Sequence, residues 1–227
     1  MGTTVLAAQV RLKPQSVLGL ATGSTPVGTY KELIRLHREQ ELDFSRVTSV
    51  NLDEYYGLSP EHGQSYHHFM RVNFFNHINI SLGNTHIPDG LTKDVAKTCA
   101  EYDQLVTSLG GMDIQLLGIG NNGHIAFNEP GAFFYAQTHL VDLDEKTIKA
   151  NARFFESEAE VPRQAITMGL RSILSAKLIL LLASGASKAA AIAKMVKGPV
   201  DPQLPASILQ LHPNVMVFAD QEALALA

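Results

Sequence analysis

Five short apolar runs, partly β-branched, punctuate the chain: Val17–Ala21, Val47–Leu52, Ile114–Ile119, Leu178–Ala183 and Val215–Ala219. None alternates cleanly between apolar and polar positions, as a strand with one wet face would. Runs that are apolar on both sides of the pleat suit strands buried on both faces of a parallel sheet. Between them lie stretches with helical spacing. Thr29–Gln40 places Tyr30, Leu33, Ile34 and His37 on one stripe, and Ala96–Ser108, Gln164–Ser175 and Lys188–Val196 read as three further helices. Strands alternating with helices predict an α/β fold with a doubly wound, mostly parallel sheet. No repeat, low-complexity tract or flexible linker divides the chain, so residues 1–227 are expected to form a single domain.

Composition narrows the class. The chain of 227 residues is 45% hydrophobic and 18% charged, a balance that suits a globular protein and not a disordered one. Its formal net charge is −4, with no cluster of Lys and Arg to meet nucleic acid. The longest apolar run, Leu178–Ala183, is too short to cross a bilayer, and the N-terminal residues lack the apolar core of a signal peptide. Cys99 is the lone cysteine, which excludes an intrachain disulfide and a cysteine-based metal site and suits a reducing compartment. These features predict a cytoplasmic protein with no nucleic-acid or membrane partner.

The candidate chemistry sits just after the strands. Val17–Ala21 runs into Thr22, Gly23, Ser24, Thr25 and Pro26; Val47–Leu52 into Asp53, Glu54 and Tyr55. Ile114–Ile119 runs into Gly120-Asn121-Asn122-Gly123-His124, and Leu178–Ala183 into Ser184-Gly185-Ala186-Ser187-Lys188. Ligands of open α/β sheets bind beyond the carboxyl ends of the strands. In the first loop Gly23 frees the backbone, Ser24 or Thr25 can cap the next helix, and Pro26 suits its first turn. Open N–H groups and the helix dipole there favour an anion, so the loop reads either as a phosphate cradle or as a plain strand–helix turn. Lys188 is either a phosphate contact or an exposed lysine at a helix start. Arg153, between Ala152 and Phe154, is either a phosphate ligand or half of a structural ion pair.

Gly118-Ile119-Gly120-Asn121-Asn122-Gly123 fits a dinucleotide fingerprint in spacing only. The helix such a motif needs is cut short by Pro130 and Gly131, so no dinucleotide is expected. The same stretch instead gathers Asn122, His124, Asn128 and Glu129 near one strand end. His124 is the natural acid/base near neutral pH, and Glu129 can orient it; a packed histidine with a capping glutamate is the plainer reading. Asp53 and Glu54 are neighbours in an extended run, so one faces a pocket if the other faces the protein. Asp53 can then serve as a general base, or simply form a turn. His67 and His68, adjacent in sequence, do not share a helix face, and neither a metal nor a cofactor is expected.

Taken together, Leu18–Pro26, Asn51-Leu52-Asp53-Glu54-Tyr55, the segment 118–131 with its His-Ile-Ala-Phe-Asn-Glu-Pro string, and Leu209-Gln210-Leu211-His212-Pro213 resemble the glucosamine-6-phosphate deaminase family. The resemblance runs from about Val17 to the end. It implies a Rossmann-like three-layer αβα sandwich and the conversion of glucosamine 6-phosphate and water to fructose 6-phosphate and ammonia. By the same resemblance, Asp53 moves the C2 proton and His124 opens the sugar ring with support from Glu129. Thr22, Gly23, Ser24 and Thr25 hold the phosphate with Arg153 and Lys188. Asn122 stands where some members carry Asp, which leaves more of the relay to Glu129. The residues after Glu129-Pro130 are aromatic where allosteric members are polar and basic, and the long C-terminal tail of those members is lacking. The resemblance therefore implies a monomer or small homo-oligomer without activation by N-acetylglucosamine 6-phosphate. With 16 residues before the first run, Thr4–Leu12 supplies part of the usual first helix and an edge strand is expected to be missing. Two other readings are a 6-phosphogluconolactonase, whose family resembles Asp-Gly-His with a Ser-Leu-Phe-Pro string, and a non-catalytic sugar-phosphate sensor. The first lacks its string here, and the second lacks a segment for a helix-turn-helix.

Overall fold

A computed structural model describes residues 2–152 and 155–227. The five apolar runs form the strands β1 (Val17–Leu20), β2 (Thr48–Asn51), β5 (Ile114–Gly118), β8 (Leu178–Ala183) and β9 (Val215–Ala219). A two-residue strand, β4 (Thr85–His86), completes a six-stranded sheet of order β4-β2-β1-β5-β8-β9. Every pairing in it is parallel. Helices α1 (Gly2–Leu12), α2 (Val27–Gln40) and α3 (Tyr66–Asn73) cover one face. There Leu6, Val10, Tyr30, Leu33, Phe74 and Leu18 pack into a core. Helices α4 (Val95–Ser108), α6 (Leu170–Leu174) and α7 (Ala189–Lys197) cover the other, where Tyr102, Val106, Ile173, Ile192 and Leu181 pack. The two cores explain why the strands lack alternation: both faces exclude water.

Two features depart from the expectations. Gln164–Ser175 is not one helix. Its first residues form β7 (Gln164–Thr167), and only α6 is helical. β7 lies between β3 (Asp53–Tyr55) and β6 (His139–Asp142) in a small antiparallel sheet. Gly169 separates strand from helix at a point where a Cβ would lie 2.2 Å from the Gln137 carbonyl carbon. The chain thus leaves the parallel sheet at Asn51, bends at Leu52 and enters the second sheet at Asp53. The helix expected to begin at Thr4 begins at Gly2. β9 stands at the edge of the main sheet, with Met216 and Val217 exposed.

The chain passes from β1 out to β2 and β4, then returns to place β5 on the other flank of β1. Loops leaving β1 and β5 therefore diverge, and a crevice opens between them at the carboxyl ends. None of the described helices is long and apolar enough to cross a membrane.

Candidate active site

A cavity of about 820 Å³ occupies this crevice. All four loops singled out in the sequence reach it: Thr22, Gly23, Ser24 and Thr25 after β1; Asp53 after β2; Asn122 and His124 after β5; Ser184, Ser187 and Lys188 after β8. Arg153 lies outside the described residues.

The β1 loop runs directly into the N-terminus of α2. Pro26, and neither Ser24 nor Thr25, takes the cap position, and it makes no side-chain hydrogen bond there. The first N–H groups of α2 have no partner within the helix and lie in the field of a 14-residue helix, which favours an anion. Gly23 sits at φ +89, a left-handed conformation that a side chain would strain. Across the cavity, Asp220 accepts the Ser184 hydroxyl and the Gly185 N–H and so fixes the turn that leads to Lys188. Lys188 itself takes the cap position of α7. A mobile anion between these two loops meets N–H groups, hydroxyls and a cation together.

Asp53 and Glu54 divide as an extended backbone requires. Asp53 lines the cavity and is only 6% exposed. Burial pushes its carboxyl up to about 8, with the nearby Glu54 charge adding to the shift. Glu54 turns into the protein, where it accepts the backbone N–H groups of Tyr55, Tyr66 and His67 and contacts His67 Nδ1 at 2.9 Å. It therefore closes the N-terminus of α3, helped by Ser65, which accepts the His68 N–H. This places Tyr66 on the cavity wall, its ring packed against that of Tyr55 at 4.9 Å.

The 118–131 segment contains no helix after its glycines, which removes the dinucleotide reading. It forms a tight turn instead. Asn128 N–H and Nδ2 both donate to Ile125 O, Nδ2 also reaches Met168 O, and Ala126 is held at φ +53. The turn carries Glu129 back to His124, whose Nδ1 lies 3.2 Å from Glu129 Oε2. That contact leaves Nε2 of the ring for a ligand in the cavity. Asn122 donates to the same Glu129 oxygen at 2.8 Å and accepts the His124 N–H at 3.2 Å. Burial raises the proton affinity of Glu129, but the contacts with His124, Thr147 and Asn122 outweigh it and hold the carboxyl below the usual range. Gly120 lets the ring sit there: a Cβ at that position would lie 2.4 Å from His124 Cε1. Among the described residues, no group of three or more His, Cys, Asp or Glu side chains is arranged to hold a metal ion.

Three cavity residues carry no signal in the sequence: Tyr66, and Thr147 and Asn151 from helix α5 (Glu145–Asn151). They come from elements without strand-end motifs, and their hydroxyl and amide groups are common surface chemistry.

Residues 3–218 match the family model described as glucosamine-6-phosphate isomerases/6-phosphogluconolactonase. The chain belongs to this family. Within it, the chain is 59% identical over 214 residues to a glucosamine-6-phosphate deaminase of Lachnoclostridium phytofermentans, covering 94% of this chain and 91% of that protein. It is 55% identical to the deaminase of Thermoanaerobacter pseudethanolicus, covering 98% of this chain and 88% of that protein. The fold superposes with a TM-score of 0.97 on a solved structure described as a monomeric glucosamine-6-phosphate deaminase, at 52% identity over 99% of this chain and 93% of that one. A 6-phosphogluconolactonase of Trypanosoma brucei shares the fold alone, at TM-score 0.75 and 19% identity over 98% of this chain and 91% of that one.

Proposed function

We propose that the protein is a cytoplasmic, monomeric glucosamine-6-phosphate deaminase, which turns glucosamine 6-phosphate and water into fructose 6-phosphate and ammonia in amino-sugar catabolism, including that of N-acetylglucosamine. One observation carries this reading: a buried carboxylate, Asp53, and a carboxylate-backed imidazole, His124, share one cavity with two anion-holding loops. The identity to named deaminases supports the same substrate.

The phosphate rests on the 22–25 loop and the N-terminus of α2, with Lys188 and Arg153 completing the cradle. His124 takes the proton from the C1 hydroxyl and returns it to the ring oxygen, which opens the sugar to its aldehyde. Glu129 holds the imidazole in the tautomer that this transfer needs, and Asn122 holds Glu129. Asp53 then removes the C2 proton and delivers it to C1, while the amino group gives up one proton and the C1 oxygen gains one, so that the amino aldehyde becomes a C2 imine with a C1 hydroxyl. Water adds at C2 and ammonia leaves, giving the ketone. A phosphate fixed at the far end of the sugar holds C2 against the base, and binding there is spent on orientation. Asp53 sits in a wall that favours its neutral form, so its anion is a stronger base than an exposed aspartate.

Ammonia release from glucosamine 6-phosphate tests the reading. Wild-type protein releases it, and Asp53→Asn loses about two to four orders of magnitude in rate, the usual worth of a positioned base. Wild-type protein that releases none while hydrolysing 6-phosphogluconolactone would assign it to the other branch of the family.

A further inference from the structure

Glu129 has two carboxylate oxygens, and they are gripped from different parts of the chain. Oε2 takes Asn122 Nδ2 and His124 Nδ1, both from the loop after β5. Oε1 accepts the hydroxyl of Thr147 at 2.6 Å. Thr147 belongs to α5, lines the cavity and is itself buried. One helical turn further on, Asn151 donates to the Tyr55 hydroxyl at 2.9 Å. Residues four apart share a helix face, so α5 lays one face over the cavity and touches it at two points.

We propose that Thr147 is a positioning residue for ring opening, whose hydroxyl locks the Glu129 carboxylate so that His124 is held with Nε2 toward the sugar. The last torsion of a glutamate is broad, and a carboxylate gripped at one oxygen swings about it. A donor on each oxygen fixes the plane. Without Thr147, a buried oxygen loses its donor, and the carboxylate turns away from His124 in search of another. A threonine hydroxyl does not ionise near neutral pH, so Thr147 acts through Glu129 and not as an acid or base of its own. The inference rests on the deaminase reading of the site.

Steady-state ammonia release by Thr147→Val and Thr147→Ser tests it. Valine keeps the shape and removes the donor; serine keeps the donor and removes the methyl. The expected result is a loss of roughly 10- to 100-fold in kcat for Thr147→Val, the size of one lost hydrogen bond to a charged group, with KM nearly unchanged. Thr147→Ser retains most of the wild-type kcat. Full activity in Thr147→Val would overturn the proposal, as would equal losses in both variants or a KM that rises in step with the fall in kcat. Thermal unfolding of each variant identifies a failure to fold, in which case Thr147→Ala replaces Thr147→Val under the same criteria. Wild-type protein without deaminase activity would instead overturn the reading of the site itself.

Discussion

Asp53 is an acid set in a wall that disfavours its charge. The causes of its raised proton affinity are burial first and the Glu54 charge second, and no described residue offsets them with a hydrogen bond. Two consequences follow in opposite directions. For catalysis the anion is needed, so kcat/KM rises with pH, reaches half its plateau near 8, where the free enzyme's base ionises, and levels off above that. A profile that stays flat between about pH 6 and 9 would remove Asp53 from the role of base. For stability the neutral form is the favoured one. Relative to an unfolded carboxyl near 4, the folded group is raised, so the stability it lends is complete below about pH 4 and is lost as pH climbs through about 8. Asp53→Asn avoids ionisation, and its melting temperature exceeds that of wild type by a margin that widens from about pH 5 to pH 9. A margin that shrinks over that range would contradict the assignment. Asp53, His124 and Glu129 were legible in the sequence because strand ends and a contiguous string present them. The grip of Thr147 on Glu129 was not, because it depends on where α5 comes to rest.

At the scale of elements, α3 shows how a buried charge builds the site. Glu54 is 1% exposed, and its carboxylate takes the place of a helix cap for Tyr66 and His67. Replacing it by alanine leaves those N–H groups unpaired next to the Tyr55 N–H, a cost of about 2–4 kcal/mol by the usual desolvation of such groups. Glu54→Ala should therefore melt well below wild type and show a raised KM, because Tyr66 is no longer held in the cavity wall. A variant with wild-type KM and melting temperature would show that Ser65 alone suffices to place α3. The same region marks where sequence patterning ran short. Strands of the main sheet announce themselves because both faces are apolar, but β4 has only Thr85 and His86, too few for any period. In the sequence β7 reads as the start of a helix, because Ala165, Ile166 and Met168 lead into Leu170 and Ile173 without a visible break, apart from Gly169. β3 reads as the end of the preceding strand, not as a strand of another sheet, since three residues carry no register of their own.

At the scale of the whole molecule, the strand order brings four distant loops together and leaves residues 130–142 outside the cavity. There Tyr135 stacks on His139 at 4.6 Å and Phe133 is exposed. Burial lowers the proton affinity of His139, which keeps it uncharged at neutral pH, and residues 130–142 contain no Lys or Arg. Such a surface offers little to a second sugar phosphate. Rates should depend hyperbolically on glucosamine 6-phosphate, and added N-acetylglucosamine 6-phosphate should not raise them; a sigmoidal curve made hyperbolic by that compound would contradict this. Catalysis requires Asp53 to act on a sugar anchored by its phosphate in the same cavity. The most direct measurement follows the label of glucosamine 6-phosphate deuterated at C2, by nuclear magnetic resonance, with wild type and Asp53→Asn at equal occupancy. The label is expected to leave C2 with wild type and to stay there with Asp53→Asn, although the variant binds the sugar phosphate with comparable affinity. Removal of the label by Asp53→Asn at the wild-type rate would contradict it.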